Sequence, residues 1–210
     1  GAEVIRIQSH ARGAPLLQDI HYFRNKKSVG LDLSKAGGPD VFRAIAANVD
    51  VVAHNFTPRV MRQFKIDFEQ ISQVNDNVIY CSVTGFGTTG PWKDRPLFGP
   101  GAEAMSGQNS MIGEPGSNTP GRPGTITYAD HVCGLYLLVA LLGALDERRE
   151  RPGPRHVEVS LYETGVSHIG TVVAERSKRA NRPAPSASVN IETADVADVV
   201  RDHDRWSRGC

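Results

Sequence analysis

The sequence predicts an α/β fold, an open and mostly parallel sheet covered by helices, and three observations predict it. Short β-branched runs alternate with segments of helical periodicity from the first residues onward. Two of the strands, Val49-Asp-Val-Val-Ala53 and Asn77-Val-Ile-Tyr-Cys-Ser-Val-Thr84, are nearly continuous apolar runs, as expected of strands buried on both faces. With 210 residues and 40% hydrophobic content, the chain can bury a core of domain size.

Glu3 to Ile7 alternates like a strand, and Ser28 to Leu33 does so again after a polar loop that contains Arg24-Asn-Lys-Lys27. Gly38-Pro39 opens a helix with Pro in its first turn, and Val41, Phe42, Ile45 and Ala46 mark its apolar face. The strand Val49 to Ala53 follows. Pro58 starts a further helix, Asp67 caps a short one, and Asn77 to Thr84 is the next strand. Gly101 to Ser110 forms a short helix of small residues, and a Gly/Pro/Ser/Asn loop runs from Gly113 to Gly124. Pro123-Gly-Thr-Ile-Thr-Tyr-Ala-Asp130-His-Val-Cys-Gly134 then leads into an apolar helix, expected over residues 131 to about 148. Arg155 to Leu161 is a strand, and Tyr162 to Ala174 one more helix. From Glu175 the composition becomes basic and linker-like, residues 175–190 read as a linker or junction, and residues 191–200 have the pattern of a small amphipathic helix before a polar tail.

Composition excludes several classes of function. Twenty-four basic and 23 acidic residues leave a net charge of +1, which gives no bulk attraction for nucleic acid or an anionic membrane. Cys81, Cys133 and Cys210 are too few and too widely spaced for a disulfide framework or a zinc motif, so no metal and a reducing, cytoplasmic setting are expected. The apolar run Leu135 to Leu145 is too short to span a bilayer and reads as a buried core helix. The chain opens directly on a strand pattern without Met, which points to a beginning that has been cut away.

Chemistry concentrates at two places. Asp130 stands where an extended segment meets a helix, so its carboxylate faces the positive helix end, as an N-cap or as an ionised reactive group. Gly85-Phe-Gly87-Thr-Thr-Gly90 follows a strand and formally matches a dinucleotide-binding glycine pattern. That match is rejected, because Pro91-Trp-Lys-Asp-Arg-Pro96 continues as a loop where the pattern needs a helix. The glycines instead allow turns or close backbone approach to a ligand.

Read in order, Gly1-Ala-Glu-Val-Ile, Asn25-Lys-Lys-Ser-Val-Gly-Leu-Asp-Leu33, Asp50-Val-Val-Ala-His-Asn-Phe56, Ser82-Val-Thr-Gly-Phe-Gly87, Thr89-Gly-Pro91, Ala104-Met-Ser-Gly107, Gly113-Glu-Pro115, Ala129-Asp130 with Gly134, and Val157-Glu-Val-Ser-Leu161 resemble the family III CoA-transferases, the carnitine CoA-transferase and formyl-CoA transferase family. The resemblance runs over residues 1 to about 170. It implies a Rossmann-like large CoA-binding domain over residues 1–174, lacking its N-terminal start, with the small second domain missing, a junction at 175–190 and a returning C-terminal segment at 191–210. It implies a transfer of CoA between an acyl-CoA and a carboxylic acid, with Asp130 as the covalent nucleophile, CoA as substrate and no permanently bound cofactor. It also implies a cytoplasmic homodimer, interlinked when the chain is whole.

The same resemblance directs Lys26, Lys27 and Arg59 toward the phosphates of CoA, Asn55 and Phe56 toward its pantetheine or adenine part, and the Gly85 and Gly87 backbone toward the oxyanion. Without the resemblance the two lysines read as a solvated surface pair. The chain departs from the family where His54-Asn-Phe-Thr-Pro-Arg59 replaces Glu-Asn-Phe-Arg-Pro-Gly, which moves the arginine by two positions. Two alternatives stand beside the transferase: an acyl-CoA racemase or epimerase of the same superfamily, or an inactive CoA-binding remnant. Racemases carry Gly-His-Asp where this chain has Phe98-Gly-Pro-Gly101, which removes the partner base.

Overall fold

Four helices begin where proline or an aspartate cap sets the first turn, at Pro39, Pro58, Asp67 and Pro100. The computed structural model describes residues 1–9, 21–113, 121 and 127–179. Strand β1 (Ile5–Gln8) pairs in parallel with β2 (Lys27–Gly30). Helix α1 (Gly38–Ala46) leads to β3 (Val51–His54), and α2 (Pro58–Gln63) and α3 (Phe68–Val74) lead to β4 (Ile79–Thr84). Beyond these come α4 (Gly99–Met105), a 3-10 turn at Gln108–Met111, α5 (Tyr128–Glu150), β5 (Arg155–Ser160), α6 (Leu161–His168) and α7 (Gly170–Arg179). The second sheet has the order β3-β4-β5, and β3 runs parallel to β4 with His54 opposite Ser82. The predicted α/β class with parallel strands is therefore the observed one, divided between two small sheets.

The described residues form two compact units, one drawn from residues 1–82 with 140–157 and one from 83–139 with 158–179, whose boundaries fall within β4, α5 and β5. The core of the first joins Ala46, Val52, Met61, Ile66, Ile71, Val78 and Tyr80. Burying a side chain such as Ile71 stabilises by about 1.5–3 kcal/mol. Polar ties finish the element ends. The Asp67 carboxylate accepts the Gln70 N–H at 3.0 Å, as predicted for a cap, and Asn75 Nδ2 donates to Ala46 O and Val49 O at 2.8 Å each. The Arg148 guanidinium donates to Asp50 Oδ1 at 2.9 Å and to Asn77 O at 3.1 Å, which fixes the last turn of α5. In the second unit, Ala102, Ala129, Cys133, Val159 and Leu161 form the core, with Val83, Leu97 and Leu137 packed against it.

Four expectations are corrected. The predicted 101–110 helix is α4 plus a 3-10 turn, because Gly107 at φ 93° ends α4 in the left-handed region. The predicted 162–174 helix is two helices that break at Ile169, and residues 175–179 continue α7 where a linker was expected. Helix α5 starts at Tyr128 rather than 131, so Asp130 lies inside the first turn and is not the N-cap. The buried core helix is buried on one face only. Ala129 and Cys133 are enclosed, whereas Leu135 is 62% and Val139 72% exposed, because the apolar run covers the whole helix circumference. By length and composition the full 23-residue α5, unlike its 135–145 run, could cross a membrane, a property it shares with core helices of soluble proteins. Residues 180–210, which hold most of the predicted junction and all of the returning segment, lie outside the described residues.

Candidate functional site

Asp130 stands exposed in the first turn of α5, and none of the hydrogen bonds among the described residues engages its carboxylate. Its surroundings are set by α4. Gly99, the first residue of α4, approaches so closely that a methyl group there would lie 2.3 Å from Asp130 Oδ2 and 2.7 Å from Thr127 Cβ. Only glycine lets these two helix starts meet without displacing the carboxylate. One turn further along α4, Glu103 is completely buried, and its Oε1 accepts the Ala129 N–H at 3.4 Å. Glu103 Oε2 is buried without a hydrogen-bond partner among the described residues. Cys133, one turn after Ala129 on α5, is also fully buried, and burial pushes its thiol up to about 11, so it is an inert core residue.

The glycine loop after β4 is braced from three sides. Gly85 O accepts the Tyr162 N–H at 3.0 Å and the Ser160 hydroxyl at 3.3 Å. A methyl group on Gly85 would fall 2.5 Å from Leu97 Cβ. Gly87 and Gly90 have φ values of +87° and +78°, which glycine adopts without strain. The Glu158 carboxylate binds both the N–H and the hydroxyl of Thr88, and Phe86 packs between the Trp92 and Tyr162 rings. No helix opens at Gly90, in keeping with the rejection of the dinucleotide pattern.

In the other unit, Asn55 and Phe56 follow the carboxyl end of β3, the position at which parallel sheets bind ligands, and Phe56 is 50% exposed. The Phe56 N–H donates to His54 Nδ1 at 3.2 Å. A neutral His54 ring then carries its proton on Nε2 and donates to Ser82 Oγ at 2.8 Å, leaving the Ser82 hydroxyl hydrogen for His156 Nε2 at 2.8 Å. Burial, and then the neighbouring His156, pull His54 down to about 4, so it stays neutral over the physiological range.

Of the three predicted phosphate ligands, Lys26 lies in a loop as expected, and Lys27 and Arg59 do not. Lys26 is exposed, with its ammonium 5.6 Å from the Phe23 ring centroid, and Arg6 sits over the same ring at 3.3 Å. Lys27 is not a loop residue. It is the first residue of β2, and its ammonium pairs with Glu3 at 2.9 Å. Arg59 is exposed in the first turn of α2. Sequence reasoning missed Gly99, Glu103, Glu158 and the His54–Ser82–His156 chain. The one available signal was Glu103 itself, a lone acid among the small residues Ala102, Ala104 and Gly107. Among the described residues, no group of three or more His, Cys, Asp or Glu is placed to hold a metal.

Comparison with known proteins agrees on one group. The model of CoA-transferase family III matches residues 1–207. The β subunit of succinyl-CoA–L-malate CoA-transferase from Chloroflexus aurantiacus is 37% identical over 141 residues, which is 67% of this chain and 35% of that protein. Succinyl-CoA:glutarate CoA-transferase from Mus musculus is 30% identical over 186 residues, 83% of this chain and 42% of that protein. A crystal structure of a CaiB/BaiF family protein from Brucella suis superimposes with a TM-score of 0.75 at 27% identity, covering 87% of this chain and 52% of that one. The chain thus spans about a third to a half of the length of these relatives.

Proposed function

From the premise that this chain belongs to CoA-transferase family III, we propose that it moves CoA from an acyl-CoA to a carboxylic acid through a covalent intermediate on Asp130. An Asp130 oxygen attacks the thioester carbonyl carbon, the C–S bond breaks, and CoA leaves as the thiolate with a mixed anhydride left on the protein. The thiolate then attacks the Asp130 carbonyl, the anhydride C–O bond breaks, and the donor acid departs as a carboxylate. The acceptor carboxylate repeats these two steps in reverse, releasing the new acyl-CoA and restoring Asp130. Splitting one exchange into these steps makes the protein carboxylate the carrier and uses no water.

The single observation that carries the reading is the exposed Asp130 carboxylate, held against Gly99 at the start of a long helix and engaged by no hydrogen bond among the described residues. With no hydrogen bond from the described residues, its oxygens suit attack on a thioester carbon. For the oxyanion we assign the Gly85 and Gly87 backbone N–H groups, the Thr88 N–H of the same loop being held by Glu158. Asn55 and Phe56, beyond the end of β3, suit the pantetheine or adenine part, and Lys26, Lys27 and Arg59 supply exposed positive charge for phosphates. The succinyl-CoA donors named for two relatives make a dicarboxylate thioester the first substrate to test. We place the enzyme in the cytoplasm as a homodimer.

The test is mass spectrometry of the intact protein mixed with succinyl-CoA and hydroxylamine. A hydroxamate on Asp130, absent when CoA alone is added, is the expected result. Turnover of succinyl-CoA with an unmodified Asp130 sinks the covalent route.

A further inference from the structure

We propose that Glu103 is a positioning residue for Asp130, a role that rests on the function proposed above. Glu103 is fully enclosed in the second unit, yet among the described residues only one of its carboxyl oxygens has a hydrogen-bond partner. Leaving a buried polar oxygen unmet costs about 1–3 kcal/mol, and more when the group is charged. A leucine of similar volume would avoid that cost, so the carboxyl group needs a reason other than stability.

The geometry supplies one. Gly99 and Glu103 are four residues apart on α4 and therefore share one face. That face meets two consecutive residues of α5: Gly99 abuts the Asp130 carboxylate, and Glu103 Oε1 takes the N–H of Ala129. First-turn N–H groups have no partner within their own helix. Left free, the Ala129 N–H would be available to a nearby carboxylate, Asp130 included. With that donor held by Glu103, the first turn of α5 is fixed to α4, and the Asp130 oxygens keep their lone pairs for the thioester carbon.

Three variants of the intact protein, Glu103→Gln, Glu103→Asp and Glu103→Leu, test the role by three readouts. These are the rate of hydroxylamine-trapped modification of Asp130 by succinyl-CoA, hydrogen exchange of the Ala129 amide, and CoA affinity. Glu103→Gln keeps an acceptor at the same reach and is expected to react within about threefold of the wild-type rate. Glu103→Asp keeps the charge but withdraws the acceptor by one methylene, and Glu103→Leu removes it. Both are expected to slow modification by about tenfold or more, with CoA affinity within about twofold and faster exchange at Ala129, since small misplacements of a reacting group cost one to two orders of magnitude. If Glu103→Leu does not fold, the Asp and Gln variants decide alone. Wild-type rates in Glu103→Asp, or a Gln variant as slow as the Asp variant, overturn the positioning role while leaving the covalent reaction intact. Absence of any Asp130 adduct in the wild-type protein overturns the reaction and this role together.

Discussion

The surroundings of Asp130 and the surface around Lys26 carry parts of the same proposed chemistry and are built in opposite ways. Around Asp130 the backbone does the work: a methyl group on Gly99 would lie 2.3 Å from the Asp130 Oδ2, and Glu103, one turn along the same helix, is fully enclosed. Around Lys26 the groups are long, exposed and shared among neighbours: Arg6 and Lys26 flank one phenylalanine ring, and Lys27 leans on Glu3. The contrast teaches that the carboxylate proposed to react is held by close packing, which tolerates little change, whereas exposed charges of this kind are expected to act additively and to tolerate substitution.

The largest effect is expected at Asp130 itself. Asp130→Ala should lower transfer by about 10³-fold or more, while stability changes by no more than about 1 kcal/mol, the scale of a first-turn charge–dipole interaction. A coupled CoA-transfer assay and a thermal melt on the same sample check both halves. A variant that retains ordinary turnover removes the nucleophile assignment, and one that melts far lower makes Asp130 a structural residue.

Glycine replacements come next. Gly85→Ala forces a methyl group onto Leu97 Cβ and backbone, and should destabilise by about 1–3 kcal/mol through overpacking. Gly99→Ala pushes on the Asp130 carboxylate, which is exposed and able to yield, so its main effect should be a roughly 10- to 100-fold fall in rate. Gly90→Ala meets nothing within 4 Å and bears only the left-handed backbone cost of about 1–2 kcal/mol. Denaturant melts and initial rates for the three should separate into these patterns. Equal rate losses for Gly90 and Gly99 would show that the close approach to Asp130 has no special effect.

These positions also show what was legible in the sequence. Pro39, Pro58 and Asp67 mark helix starts because each acts locally, through a fixed φ or a side-chain cap, and the helices begin there. Asp130 was legible as an acid at a helix start, but N-cap and first-turn positions differ by a few residues and share the same residue preference, so the sequence could not choose between them. The apolar run of α5 was read as buried, and its exposed Leu135 and Val139 show that composition reports an appetite for burial, not the presence of a cover. Glu103 was illegible as a partner of Ala129, because a contact 26 residues away along the chain leaves no periodic trace.

A moderate effect is expected from pH through His54. Its folded value is lowered to about 4 from the usual 6.5, so between those values the unfolded chain takes up a proton that the folded chain refuses. Stability is complete above about pH 6.5 and falls as the pH drops toward 4. The upper bound is about 3 kcal/mol, and partial solvent access to the ring reduces it toward 1. His54→Gln should flatten the wild-type slope over that window in urea melts at stepped pH. A slope unchanged by the substitution would mean that the ring is open to water, and that the Phe56–His54–Ser82–His156 chain is not held as tightly as the Asp130 surroundings.

The smallest effects belong to the cationic surface, and they sharpen the contrast most directly. If Lys26 and Lys27 meet CoA phosphates, each contributes an exposed, salt-screened attraction worth about 0.2–1 kcal/mol, so Lys26→Ala and Lys27→Ala should each weaken CoA by less than about fivefold, and less still at high salt. The two lysines differ in one respect. Lys27 already pairs with Glu3 at 2.9 Å, so a phosphate must compete for its ammonium, whereas Lys26 has no ion pair among the described residues and lies beside the Phe23 ring. Glu3→Gln removes that competition and one negative charge, and should tighten CoA by about twofold, an effect that vanishes in the Lys27→Ala background. Calorimetry on the three single variants and the Glu3→Gln, Lys27→Ala pair measures this coupling. Tightening that persists without Lys27 would mean that Glu3 acts as a distant charge on whichever cation holds the phosphate. Unchanged affinity in every variant would move the phosphates away from this surface, with Arg59 in the first turn of α2 the next cation to test.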